Sequence, residues 1–141
     1  NSHMELIELA ERGDSKAADK LVGDIYGDEY RGLGLSADTV ASNFGKLVSP
    51  DARAAVGRED LAAALLQMIS WNLAQLARLV AQQEGCKTIV FTGSFMHQNQ
   101  LAQRKIVSAI RYWSNRESVA LYMRHEGYVG AVGALAMSSL H

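Results

Sequence analysis

The sequence predicts an α/β fold, rich in helix, built around a short parallel β-α-β core. Three observations carry that class. Thr88 to Thr92 is a β-branched run too short for a helix yet apolar enough to be covered on both faces, and Gly93 halts it. Between Glu59 and Glu84 the apolar positions Leu61, Leu65, Met68, Ile69, Leu73, Leu76, Leu79 and Val80 recur at three and four, the period of one helix face. Beyond Gly93 the pattern runs helix, strand, helix, so two parallel strands joined by a right-handed crossover follow.

Taken in order, Asn1-Ser2-His3-Met4 reads as a vector remnant ahead of a start methionine, so the chain is expected to be a piece of something longer. Leu6, Ile7 and Leu9 begin a short helix that Gly13 stops. A second helix is expected from about Ser15, capped by Asp14 or Ser15, with Leu21, Val22 and Ile25 on its buried side. Residues 26–45, with four glycines and two tyrosines, suit an ordered functional loop better than any regular element. Ser49-Pro50-Asp51 starts a brief helix with proline in its first turn, and Gly57 ends it. The long helix, about 59–84, is stopped by Gly85. Trp71 lies off its apolar stripe, which predicts a second neighbour for this helix, such as another subunit. Strands are expected at about 87–92 and 118–123, a helix from about Gln98 to Trp113, and a last helix from Tyr128 to about Leu140. Gly127, Gly130 and Gly133 recur every third residue, which predicts close packing of that last helix. Two strands make a poor sheet, so further strands are expected from outside this chain.

Composition narrows the function classes. At 141 residues and 48% apolar content the chain can bury a core and fits one domain. Fourteen Lys and Arg against fifteen Asp and Glu leave a net charge of -1, so no large field exists to hold nucleic acid or an anionic membrane. No apolar run approaches the length of a membrane span. The single Cys86 excludes an internal disulfide, suits a reducing compartment and reads as a small core residue at the start of the strand.

Several motifs fail on spacing. Phe44-Gly45-Lys46 is followed by Leu47 rather than Ser or Thr, and Val40 stands where a Walker loop needs glycine. Gly32-Leu33-Gly34 lacks the third glycine of a dinucleotide fingerprint. His125-Glu126 has no second histidine four residues after the first, and His97 is isolated, so no metal site is expected; capping and dipole compensation account for His125 and Glu126. Gly93 remains. Without a Cβ it lets a phosphate or purine approach the main chain, and the following helix is expected to aim free N–H groups at the same spot. Tyr26, Tyr30 and Trp113 each offer a polar group beside an apolar face, suited either to a core or to an amphipathic small molecule.

Four segments in collinear order, IYGDEYRGLGL (25–35), VASNFG (40–45), VFTGSF (90–95) and HEGYVGAVGAL (125–135), resemble the carboxyl-terminal half of the eukaryotic-type (type II) pantothenate kinases. The likeness runs from about Leu6 to Leu140. It implies the helix-rich carboxyl-terminal part of an actin/hexokinase-like (ribonuclease H-like) ATPase domain, with residues 5–141 as its carboxyl-terminal lobe. It also implies phosphorylation of pantothenate with ATP and Mg, inhibition by acyl-CoA, a homodimer with the long helix near its contact, and a cytoplasmic setting. On this resemblance Gly93, Ser94, Phe95 and His97 would face the nucleotide. Tyr26, Tyr30, Leu35, Val40, Ala41 and Trp113 would line the pantothenate or CoA arm. Ser94 stands where the family has asparagine and His97 where it usually has arginine, and loss of a fixed cation weakens phosphate binding or regulation. The family's phosphate loop, its lysine and its catalytic glutamate have no counterpart here, so no catalytic residue is assigned and no turnover is expected of this chain alone. The alternatives are a catalytically silent relative acting as a regulatory or scaffold subunit, and a helix-rich interaction domain.

Overall fold

The computed structural model describes residues 2–27, 32, 34–123 and 128–139. The chain divides into two compact units, Asn1–Ile69 and Ser70–His141.

In the first unit, α1 (Ser2–Arg12) is followed by a single 3-10 turn, Ser15–Ala17, whose cap is Asp14 accepting from the Lys16 N–H at 3.0 Å. The expected second helix is broken. Lys20–Leu21 is a short strand, β1, and only Val22–Tyr26 is helical, as α2. β1 pairs antiparallel with β2 (Val40–Ser42), matching Lys20 with Ser42 and Leu21 with Val40. The main chain that a continuous helix would bond internally is taken by segment 37–44: Val22 N–H donates to Thr39 C=O at 2.8 Å and Gly23 N–H to Ala37 C=O at 2.9 Å. Asp19, fully buried, accepts from the Phe44 N–H at 2.8 Å. Leu21 and Val22 are buried as expected, whereas Ile25 is 49% exposed; α2 ends at the next residue, Tyr26, with Gly27 at φ 76 as its cap. The segment expected to be loop thus carries a strand. Close approach explains two glycines: a Cβ on Gly45 would lie 2.7 Å from the Lys20 Cβ, and one on Gly13 would overlap the Glu59 carbonyl.

α3 (Pro50–Ala55) starts as expected, with Ser49 Oγ accepting from the Ala52 N–H at 3.1 Å. α4 (Arg58–Gln83) is the long helix; it lies in the first unit to Ile69 and in the second from Ser70. Gly85 at φ 66 follows it.

In the second unit, β3 (Thr88–Phe91) and β4 (Val119–Tyr122) pair in parallel, Thr88 with Val119 through Phe91 with Tyr122. α5 (Gln100–Trp113) connects them, giving the predicted β-α-β core. Ala74, Met96, Ile106, Ala109 and Ile110 are buried together, with Ile89, Phe91, Ala120 and Tyr122 packed against them. The first strand was expected to be covered on both faces, but burial alternates along both. Val90 is 53% exposed, and Val119 and Leu121 share its open face, because α5 packs on one side of the pair only.

Two further expectations, on Cys86 and on the last helix, are corrected here. Cys86 is exposed rather than a core residue, since it precedes the strand and its thiol faces the Glu84 carbonyl at 3.7 Å. The second neighbour expected of Trp71 is present within the chain, since its ring meets Trp113 edge-on at 5.5 Å. The last helix, α6 (Val129–Ser138), is exposed along its length, and a Cβ on Gly130 or Gly133 would meet nothing within 4 Å, so these glycines serve no close packing among the described residues. Gly127, like His125 and Glu126, lies outside the described residues.

Candidate functional site

Beyond β3 the chain turns at Gly93, whose φ of 112 lies in a region that L side chains rarely adopt. A Cβ there would enter open space, with nothing within 4 Å, and the residue is exposed. The Gly93 carbonyl accepts from the N–H groups of Met96 at 3.0 Å and His97 at 3.3 Å, which curls residues 94–98 into a turn before α5 begins. The turn is pinned from beneath. Met96 is buried in the core, and its carbonyl accepts from Gln103 Nε2 at 2.8 Å. Asn99, fully buried, caps α5 by accepting the Ala102 N–H at 3.0 Å.

This geometry differs from a helix springing directly from the glycine. A five-residue turn intervenes, and Asn99 already satisfies one of the N–H groups at the helix start. Ser94 and His97 are exposed beside Gly93, whereas the Phe95 ring is half-buried against the core. Gly93, Ser94, Phe95 and His97 are therefore one short stretch, with its polar members outward and its aromatic member inward. Sequence reasoning missed Met96, Asn99 and Gln103, which hold the stretch in place. An asparagine just ahead of an apolar-periodic helix is a cap signal and could have identified Asn99; a methionine and a glutamine carry no comparable mark.

Trp113 ends α5 in the same unit. Besides meeting Trp71, it lines a cavity of about 320 Å3 together with the cations Arg78 and Lys87 and with Glu117. Neither cation was singled out from the sequence. Beneath α5, Tyr122 stacks on Phe91 with ring centroids 5.7 Å apart and donates its hydroxyl to the Gln103 carbonyl at 3.1 Å. Burial pushes its phenol up to about 12.

The remaining expected residues lie in the first unit. Tyr26 ends α2 and is 58% exposed; Val40 and Ala41 belong to β2, Val40 half-buried and Ala41 exposed; Leu35 is half-buried. Tyr30 lies outside the described residues. Three ion pairs lie among the described residues of this unit: Lys16 with Asp38 at 2.7 Å, Lys46 with Asp24 at 2.9 Å and Arg58 with Glu5 at 3.6 Å. The Asp38 carboxylate, by hydrogen bond and by charge, holds the Lys16 ammonium above its ordinary pKa. Lys46, and then the Leu21 N–H at 2.8 Å, hold the Asp24 carboxyl below the usual carboxylate range. Among the described residues no helix is long and apolar enough to cross a membrane.

Comparison with known proteins joins these two units in one family. A family model described as Fumble matches residues 1–137. Pantothenate kinase 2 of Oryza sativa subsp. japonica is 44% identical over 139 residues, 97% of this chain and 15% of the relative. Pantothenate kinase 2 of Arabidopsis thaliana is 43% identical over 139 residues, with the same coverage of each. The 4'-phosphopantetheine phosphatase of Mus musculus is 43% identical over 130 residues, 92% of this chain and 16% of the relative. The chain spans about 15% of the length of the first two of these curated relatives. With the family model covering nearly all of it, and the four motifs lying in collinear order within that match, the chain belongs to the Fumble family of pantothenate kinase-type proteins.

Proposed function

We propose that the chain works as the carboxyl-terminal lobe of a pantothenate kinase, in the ATP-dependent phosphorylation of pantothenate that opens coenzyme A synthesis. The observation that carries this reading is Gly93, exposed at the end of β3 with φ 112 and open space where a side chain would stand. A phosphate or an adenine ring can reach main chain there without displacing anything, and the exposed Ser94 hydroxyl and His97 imidazole are the polar groups beside it. Phe95 supports the stretch from within. Tyr26, Tyr30, Leu35, Val40, Ala41 and Trp113 are the residues we assign to pantothenate or the arm of an inhibitory acyl-CoA, with a homodimer as the working assembly. Magnesium, when bound, neutralises charge on the phosphates. On the resemblance its ligands are expected outside this chain, whose part is to bind and orient. A single free cysteine agrees with a reducing, cytoplasmic setting.

Nucleotide binding is tested by melting the chain with and without ATP. A ligand that binds only the native state at one hundred times its Kd stabilises by about 2.7 kcal/mol, so a clear rise in Tm is expected. Absence of any shift with both ATP and acyl-CoA sinks the reading. Pantothenate-dependent ATP consumption by this chain alone would refute its assignment as a lobe without catalytic groups.

The second reading is a catalytically silent relative with a regulatory or scaffold role. It draws on Ser94 and His97, which depart from the resembled pattern, and on the mouse relative, whose name is that of a phosphatase. Ser94→Asn with His97→Arg separates the two. If the silent reading holds, the double variant gains an ATP-induced Tm shift that the parent chain lacks; if the kinase reading holds, the parent already has one.

A further inference from the structure

The face of α5 turned away from the core is rich in arginine. Arg104 and Arg111 lie seven residues apart, two turns along one face and about 10.5 Å along the axis. Arg116 follows after the helix end, its N–H bonded to the Arg111 carbonyl at 2.8 Å, with Asn115 and Arg116 both in the left-handed region at φ 50 and 66. These three arginines, with Gln103, Ser108 and Tyr112, line an open groove of about 1070 Å3. Among the described residues no Asp or Glu lines it, and no ion pair engages its arginines. In a chain of net charge -1 three arginines on one groove are a local excess of positive charge.

The type of cation matters. The groove holds arginine and no lysine, and a planar guanidinium fork matches two phosphate oxygens at once. Tyr112 is 65% exposed and braced edge-on by Trp113 at 6.5 Å, which leaves a phenol face for a planar ring. We propose that this groove binds an oligophosphate bearing a planar ring, its phosphate chain along Arg104, Arg111 and Arg116 and its ring on Tyr112, at a site separate from the Gly93 turn. The near-neutral chain lacks the broad field that nucleic acid would need, so a small ligand fits better than a polymer.

Amide-shift titration by NMR of the whole 15N-labelled chain tests this, with tripolyphosphate, ADP and adenosine as probes. Tripolyphosphate and ADP should move the amides of Ser108, Tyr112 and Asn115, and adenosine should move them little. Arg104→Gln and Arg111→Gln, both at exposed positions, should each weaken tripolyphosphate by about tenfold, the equivalent of one lost charge-assisted contact. Tyr112→Ala should weaken ADP and leave tripolyphosphate unchanged. Shifts confined to residues 93–97, equal affinity in the arginine variants, or tighter binding of a single-stranded oligonucleotide than of ADP would each overturn the proposal. Failure of the Gly93 reading appears separately, as an absence of shifts at 93–97 while those on α5 persist.

Discussion

The side-chain amide of Gln103 donates to the main-chain carbonyl of Met96 at 2.8 Å, across the seven residues that separate the Gly93 turn from the body of α5. The Gln103 carbonyl in turn accepts the Tyr122 hydroxyl from β4. One glutamine thus ties the turn, the helix and the sheet together. Met96 drives its side chain into the core from the same turn, so packing and hydrogen bonding fix the 94–98 conformation from one side and leave the Gly93 main chain open on the other. Such an arrangement positions backbone without occupying the space in front of it.

Gln103→Leu should therefore loosen the turn more than the fold. A net hydrogen bond is worth about 1 kcal/mol, with a further penalty when a buried carbonyl loses its donor. A modest fall in Tm is expected, with amide exchange accelerating at residues 94–98 and remaining slow at Ile106 and Ile110. Uniform acceleration across α5 would show that Gln103 supports the whole helix and not the turn.

At Gly93 a β-branched residue should be poorly tolerated for a reason unrelated to space. Nothing would clash with the new Cβ, yet φ 112 is strained for any L side chain, at a cost of about 1–3 kcal/mol. Gly93→Val is expected to lower Tm by that strain and to abolish the ATP-induced rise in Tm. Gly93→Ala should show both effects more weakly. Full retention of the ATP response in the valine variant would remove Gly93 from the proposed nucleotide site.

The Tyr122 phenol, pushed up to about 12 from an ordinary 10.0, makes stability fall at alkaline pH. The unfolded chain releases this proton near pH 10 while the native chain holds it, so the native state binds more protons and loses ground as pH rises from 10 towards 12. Below pH 10 the contribution is constant. Absorbance titration of the native chain should show one late-ionising tyrosine, and Tyr122→Phe should delete that phase. A titration in which every tyrosine ionises near pH 10 would contradict the burial of this ring.

Much of the architecture is legible in the sequence because it rests on long periodic patterns. The three-and-four spacing through α4, the apolar run into β3 and the proline start of α3 each repeat a single signal, and each element lies within a residue or two of its expected bounds. The β1-β2 pair is not legible. Strands of two and three residues are too short for period-two alternation, and they form because residues 37–42 bond the main chain at 20–23 across the sequence while the Phe44 N–H bonds the Asp19 carboxylate. The candidate site divides the same way. Gly93 stands out as the residue that ends a strand, whereas Asn99, Met96 and Gln103 act through contacts that only folding brings about. Exposure was misjudged wherever an apolar run implied two neighbours, as at Val90 and Cys86, since the described residues supply only one.

Gly13 shows how one residue can be read correctly for an incomplete reason. Its position after the last turn of α1 marks it as a helix stop, and the helix does end at Arg12. The structure adds that its Cα lies against the main chain at the start of α4, where a Cβ would overlap the Glu59 carbonyl and approach the Asp60 nitrogen at 2.7 Å. The neighbouring Asp14 N–H donates to Asp60 Oδ1 at 2.8 Å, so the two segments cannot slide apart without breaking that bond. The obstacle is backbone rather than a flexible side-chain tip, so relief requires α1 or α4 to move. Gly13→Ala is expected to destabilise the first unit by about 1–3 kcal/mol, the range for overpacking at a tight contact. Chemical denaturation followed by amide signals in each unit measures this directly. Replacing a helix-terminating glycine whose only role was conformational would cost far less at a negative φ, so a variant as stable as the parent would show that the contact with Glu59 is not tight in solution.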